Sequence, residues 1–249
     1  MAVTAIIPAR YASTRFPGKP LAPILGKPMI QWVVERLRGC AALDRIAVAS
    51  DDERILAVVR SLGADAIPTR SDHPTGTDRL AEAARKLGLG PGDWVVNVQG
   101  DEPEVHAAMV DALVRVALED PQVPMATLAY ETADSEAYAD PNVVKVVTDR
   151  NGRALYFSRA PVPWRRDASD VPVRFLKHLG FYAYRADFLQ TFAALPPTPL
   201  EVTEKLEQLR ALEHGYEIRV GLSPRDSLGI DTPEDLMRLE ARWRAAGAP

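Results

Sequence analysis

Three cations in ten residues, Arg10, Arg15 and Lys19, follow a short apolar run, Val3 to Ile7, and Pro8. Ser13, Thr14 and Gly18 stand among them, small residues that let backbone N–H groups approach a ligand, and the set suits a polyphosphate. A second charged cluster closes Trp94 to Pro103, WVVNVQGDEP, where Gln99, Gly100, Asp101 and Glu102 break an apolar strand. Carboxylates past one central strand, facing a basic loop past another, suit a divalent cation. Magnesium in particular is held by one or two carboxylates together with substrate phosphates. Gly100 allows close approach to the backbone there. The plain structural alternatives are solvated loop cations and a cap for the helix that begins near Val105.

Other segments offer polar groups whose bland and functional readings both stand. In Thr69 to Arg79, TRSDHPTGTDR, either Thr77 or Asp78 caps a helix over 79–87 and His73 is a surface histidine, or Gly76, Thr77 and the following N–H groups hold a ligand at the helix N-terminus. Ser158 to Arg165, SRAPVPWR, sets two arginines in a proline-stiffened stretch, able to fork a carboxylate or to remain a surface loop. In FLKHLGFYAY, His178 interrupts a strand. Glu207 and Arg210 fit an i,i+3 pair on a solvated helix face. Thr232 with Asp235 reads as a capping box with Pro233 at N1, which leaves Asp231 over.

The elements that must position these residues alternate. Strands at 3–7, 46–49, 94–98 and 125–130 are separated by helices over 28–37, 53–62 and 79–87, the pattern of an α/β, Rossmann-like, mostly parallel sheet with helices on both faces. Ligands in such sheets sit beyond the carboxyl ends of the strands. Residues 131–185, rich in Pro, Asp and Arg, read as an excursion with strands at 143–148 and 154–157, within a single domain over 1–249. A helix over 201–214 and a last helix after Pro233 complete the chain.

Composition narrows the class. Net charge is −4, so nothing global draws nucleic acid and any anion site is local. Cys40 is the one cysteine, which excludes an intrachain disulfide and a multi-cysteine metal site and reads as helix packing. No leader and no apolar run of membrane-spanning length is seen, so a cytoplasmic protein is expected. The first loop is not a Walker A loop, because Ser13 and Pro20 stand where Gly and Ser or Thr are required, and G-x-G-x-x-G is absent.

PARYASTRFPGKPL resembles the opening of the sugar-activating cytidylyltransferases, and VQGDEP, TGTDR, HLG-x-Y, LEQLR and G-x-DTPED extend the resemblance over nearly the whole chain. It implies transfer of CMP from CTP to an acid sugar, 3-deoxy-manno-octulosonate (Kdo), with release of pyrophosphate. It implies magnesium on Asp101 and Asp231, triphosphate on Arg10, Arg15 and Lys19, and nucleoside at Gly76, Thr77 and Arg79. The sugar would meet Gln99, Arg159, Arg165, His178, Tyr182, Glu207 and Gln208, with His178 the candidate for a helping base. A homodimer joined through the excursion is implied as well. An 8-amino relative of Kdo or an N-acylneuraminate is the nearest alternative acceptor. A non-catalytic nucleotide-binding module on the same fold is the alternative of another class.

Overall fold

A computed structural model describes residues 1–12, 16–120, 122–167 and 171–247. In chain order the elements are β1 (Val3–Ala9), β2 (Pro23–Ile24), β3 (Lys27–Pro28), α1 (Met29–Leu37), β4 (Arg45–Ser50), α2 (Glu53–Ser61) and β5 (Asp65–Pro68). Next come α3 (Gly76–Lys86), β6 (Trp94–Asn97), α4 (Ala107–Glu119), β7 (Met125–Thr132), α5 (Ser135–Ala139), β8 (Lys145–Thr148) and β9 (Ala154–Ser158). The last are β10 (Phe175–Arg185), α6 (Ala186–Ala194), α7 (Pro199–Glu204), α8 (Gln208–Glu213), β11 (Ile218–Leu222) and α9 (Pro233–Ala245).

The main sheet runs β11-β7-β10-β6-β1-β4-β5, with β10 antiparallel to both neighbours and the other adjacent pairs parallel. Alternating side chains supply a separate core on each face. Val3, Ala5, Ile7 and Val96 meet α1, α2 and α4 on one side, while Ile6, Val95 and Tyr184 meet α3, α6 and α8 on the other. From β1 the chain steps outward to β4 and β5, then returns to the other side of β1 as β6. That reversal opens a crevice between the loops after β1 and β6, the place where α/β sheets bind ligands.

Strand β10 serves two structures. Its second half, Tyr182–Arg185, is a central strand paired with β6, whereas Leu176 and Lys177 pair with β8 of the excursion. Two extra residues, Gly180 and Phe181, interrupt its register with β7. The Thr127 hydroxyl fills this bulge, donating to the Phe181 carbonyl at 2.7 Å. The range 131–185 therefore contains both the excursion strands and part of the main sheet.

Several boundaries differ from the sequence expectation, each for a visible reason. Helix α3 begins at Gly76, not Arg79, because Thr75 is the N-cap and Asp78 completes a capping box with it; Thr77 and Asp78 are not the caps. The helix expected over 201–214 is broken at Lys205, which has φ 55°. The Arg159 guanidinium takes the carbonyls of Glu204 at 2.7 Å and Lys205 at 3.5 Å, the groups a continuous helix would have paired internally. As expected, Cys40 is buried packing; burial pushes its thiol up to about 12.

Fully buried Lys145 ties the excursion together, its ammonium donating to the carbonyls of Asp140, Val143 and Arg159 at 3.0, 2.6 and 2.8 Å. Lys145→Met leaves the Val143 and Arg159 carbonyls without this donor, while Asp140 keeps the Val143 N–H, and is expected to lower stability by about 1–3 kcal/mol. Urea unfolding monitored by circular dichroism measures it, and an unchanged midpoint would refute the role.

Candidate active site

The crevice holds a cavity of about 310 Å³ whose wall includes Arg10, Lys19, His73, Gly76, Arg79, Gln99, Asp101 and Asp231. Four chain segments build it: the loop after β1, the approach to α3, the loop after β6, and the lead into α9. Gly18, at φ 74°, turns the first loop, and a side chain there would press on the Tyr11 ring at 3.1 Å. Pro20 is buried behind the turn, and Lys19 then points inward.

Lys19 is the centre of the charge arrangement. Its ammonium lies 2.5 Å from Asp101 Oδ2, 3.6 Å from Asp231 Oδ1 and 2.8 Å from the Ile230 carbonyl. The expected carboxylate pair is thus brought together from positions 130 residues apart in sequence (231 minus 101). Backbone pairing of Ile230 N–H to the Asp101 carbonyl at 2.9 Å fixes the two loops to each other. Arg10 is exposed at the rim. Arg15 lies outside the described residues, as do Ser13 and Thr14.

Gly100 has a packing reason for being glycine. A Cβ there would sit 3.2 Å from the Pro8 carbonyl, so the expected role in admitting a ligand is joined by close contact between the loops. Arg79 lines the cavity but is 4% exposed, held by Asp51 at 2.9 Å and the Thr69 hydroxyl at 2.6 Å. His73 is not a surface histidine; its ring is nearly buried and paired with Glu82.

Of the residues expected at the sugar, Gln99 alone lines this cavity; His178 and Tyr182 lie apart from its wall on β10. His178, Tyr182, Tyr184 and Phe192 form a run of ring contacts with centroids 5.4, 5.7 and 5.9 Å apart. Glu207 links α8 to α3, its Oε2 accepting from the Thr77 hydroxyl at 2.5 Å. Burial pushes the Glu207 carboxyl and the Tyr182 phenol up. Glu207 Oε1 and Gln208 Nε2 are buried without a hydrogen-bond partner among the described residues, although Arg210 Nη2 lies 3.7 Å from the former. The expected solvated face is therefore wrong for this segment: Gln208 is 4% and Arg210 7% exposed. Unpaired buried polar atoms are costly, and these two suit a ligand carrying both donors and acceptors.

Two expectations for the acid sugar need correction. Arg159 does not present an open fork, because its guanidinium is committed to the carbonyls of Pro141, Glu204 and Lys205. Arg165 is likewise turned to the carbonyls of Val171 and Pro172. Nor is His178 a base at neutral pH: burial lowers its pKa to about 3, and its Nε2 faces the Thr127 hydroxyl at 3.0 Å. The histidine is a neutral ring.

Sequence reasoning passed over Asn97 and Tyr184, and named Glu102 only among the acidic residues after the strand. Asn97 and Gln99 fall on one face by strand alternation, a signal the sequence does carry, and Asn97 Oδ1 is another buried acceptor without a described partner. Glu102, whose carboxyl burial raises to about 7, accepts from the Ser227 hydroxyl. No sequence cue marks it beyond its place beside Asp101.

An anion-binding crevice with a carboxylate pair at the switch point of an α/β sheet defines a nucleotide-handling protein of the nucleotidyltransferase type. Residues 4–218 match the cytidylyltransferase family, and the chain belongs to that family. It is 62% identical to the 3-deoxy-manno-octulosonate cytidylyltransferase of Syntrophobacter fumaroxidans, over 95% of this chain and 94% of that one. It is also 51% identical to the 8-amino-3,8-dideoxy-manno-octulosonate cytidylyltransferase of Shewanella putrefaciens, over 99% and 100%. A solved CMP:2-keto-3-deoxy-manno-octonic acid synthetase complexed with CTP superposes with a TM-score of 0.92 at 42% identity, covering 99% of this chain and all of that one.

The depressed His178 pKa carries a stability consequence. As pH falls from about 6.5 toward 3, the unfolded chain takes up a proton that the folded chain refuses, so stability present above 6.5 is lost. The slope reaches about 1.4 kcal/mol per pH unit. His178→Gln is expected to flatten this component in urea titrations at pH 7.5, 6 and 5; an unchanged slope would place the acid sensitivity elsewhere.

Proposed function

We propose that the protein transfers CMP from CTP to the anomeric hydroxyl of Kdo, giving CMP-Kdo and pyrophosphate. The observation that carries this reading is the Lys19 ammonium held between Asp101 and Asp231 at the crevice, next to Arg10 and the N-terminus of α3. Support for the nucleotide comes from the CTP complex of the neighbouring synthetase. Support for the acceptor comes from the name of the 62% identical relative.

The reaction is an in-line displacement at the α-phosphorus. Lys19 and Arg10 bind the triphosphate and stabilise the charge that grows on the departing pyrophosphate. Gly76 and the first turn of α3 offer N–H groups and the positive end of an 11-residue helix to anionic or carbonyl oxygens of the nucleotide. Arg79, locked by Asp51 and Thr69, fixes the wall of that subsite. Gln99, His178, Tyr182, Glu207 and Gln208 position the sugar. Its carboxylate must then be met by cations other than Arg159 and Arg165 as they stand, or by those arginines after they leave their carbonyls.

Magnesium fits the donor set. Two hard carboxylates, Asp101 and Asp231, already converge on one cation, the Lys19 ammonium, and substrate phosphates would supply the remaining oxygens. When bound there it would neutralise phosphate charge and lower the pKa of the attacking hydroxyl.

The same reading places the protein in the cytoplasm as a homodimer, supplying an activated sugar for lipopolysaccharide synthesis. Exposed apolar side chains on or beside the excursion, Leu155 at 62%, Trp164 at 76% and Val171 at 67%, support a partner surface there. No helix among the described residues is long and apolar enough to cross a membrane.

Pyrophosphate release is the direct test, with CTP and magnesium plus Kdo, its 8-amino analogue or N-acetylneuraminate in parallel. Turnover with Kdo is expected; turnover with another sugar alone would keep the chemistry and change the acceptor. Silence with all three from a folded, CTP-binding protein would favour a binding module. Asp101→Asn should remain folded and lose ~100-fold or more in turnover, since several kcal/mol of charge stabilisation depend on it. Near-normal activity in that variant would remove Asp101 from the metal site.

A further inference from the structure

We propose that the Thr77 hydroxyl couples the nucleotide and acceptor halves of the cleft, as a positioning residue that holds the Glu207 carboxylate. The inference rests on the acceptor reading above. Thr77 lies in the first turn of α3, whose lead-in residues His73 to Gly76 line the cleft. Glu207, 130 residues further along the chain, stands at the start of α8 near Tyr182.

One carboxylate joins the two sides. Glu207 Oε2 accepts the Thr77 hydroxyl at 2.5 Å, and Thr75, the N-cap of the same turn, is a second hydrogen-bonding neighbour. Arg210 forms the expected i,i+3 ion pair with Glu207, its Nη2 3.7 Å from Oε1 and beyond hydrogen-bond reach, while Glu201 holds the guanidinium at 2.5 and 2.8 Å. Oε1 is buried and has no hydrogen-bond partner among the described residues. The group is thus fixed through one oxygen by the nucleotide side, and its other oxygen keeps an unused hydrogen-bonding capacity that a sugar hydroxyl would meet on the acceptor reading.

Because a carboxylate is rigid and planar, orienting one oxygen orients the other. A nucleotide that orders the first turn of α3 therefore pre-sets Oε1 for the acceptor, and linkage requires the acceptor to favour the nucleotide equally. Tyr184 anchors the same turn to the sheet. Its ring is 1% exposed and stacked between Tyr182 and Phe192, and Thr77 and Asn97 are the hydrogen-bonding neighbours of its phenol.

The test is CTP affinity by titration calorimetry with magnesium, alone and with a saturating acceptor analogue. The analogue is the acid sugar that supports pyrophosphate release, lacking its anomeric hydroxyl, so that no transfer occurs. In the unaltered protein the analogue should tighten CTP by about fivefold or more. Thr77→Val should reduce that factor to one, and Thr77→Ser should restore it. A factor of one in the unaltered protein overturns the coupling with no variant needed. So does a Thr77→Val protein that keeps the full factor, even where its affinity for CTP alone has dropped. Loss of the acceptor reading would show separately, as absence of pyrophosphate release with every acid sugar.

Discussion

The Lys19 ammonium is the interaction on which the site depends. Two carboxylates, Asp101 and Asp231, converge from loops that no local structure would bring together, and their mutual repulsion has to be offset by a cation between them. Lys19 supplies that cation at 2.5 and 3.6 Å and takes the Ile230 carbonyl as a third partner. Its own placement follows from the left-handed Gly18, which turns the chain immediately before it. The loops after β1 and β6 and the lead into α9 are therefore one electrostatic unit before any ligand arrives.

Packing completes what charge begins. Asp231 is carried by the segment before α9, and α9 docks through a small core of Ile24, Met29, Ile230, Leu239 and Trp243. That core lies apart from the two that line the sheet faces. Glu240 accepts from the Leu25 N–H at 2.8 Å, while Glu104 pairs with Arg242 at 2.6 Å and with the Trp243 indole at 3.3 Å. The β2–β3 ribbon that follows the first loop is thus clamped by the helix that follows Asp231. Opposite ends of the chain position the two sides of a single charge cluster, so a fault in the α9 packing is felt at Asp231 rather than in the main sheet.

Much of this was legible in the sequence, and the divide follows the range of the interactions. Capping boxes, apolar alternation and proline placement are local, so β1, β4, β6, α2 and the cap at Thr232 fall close to where the residues put them. The carboxylate pair could be named from Asp101 and from an Asp231 that local capping left over, and the family motifs pointed to the same residues. What could not be read is where long side chains find partners. Arg159 breaks the helix at Lys205 by capturing carbonyls 45 and 46 residues away, and no periodicity announces that. His178 has an ordinary strand context in sequence; its proton affinity is lowered by burial, in surroundings that include Thr127 across a bulge and Phe157 packed edge-on at 5.0 Å. Both errors concern groups whose chemistry the tertiary surroundings decide.

The charge balance of the cleft constrains how its ligands enter. Arg10 and Lys19 are set against Asp101 and Asp231, so the described cleft is close to neutral as it stands. A nucleoside triphosphate adds several negative charges, and Lys19 cannot meet them while it also neutralises both aspartates. Were the lysine to turn toward phosphate unaided, the two carboxylates would be left facing each other and the incoming anion. Asp101 and Asp231 would, on the proposed function, hold a divalent cation that arrives with the nucleotide, which would leave the ammonium for phosphate. On the proposed function, nucleotide and magnesium are therefore required together, and Lys19 holds the carboxylates in register until they come.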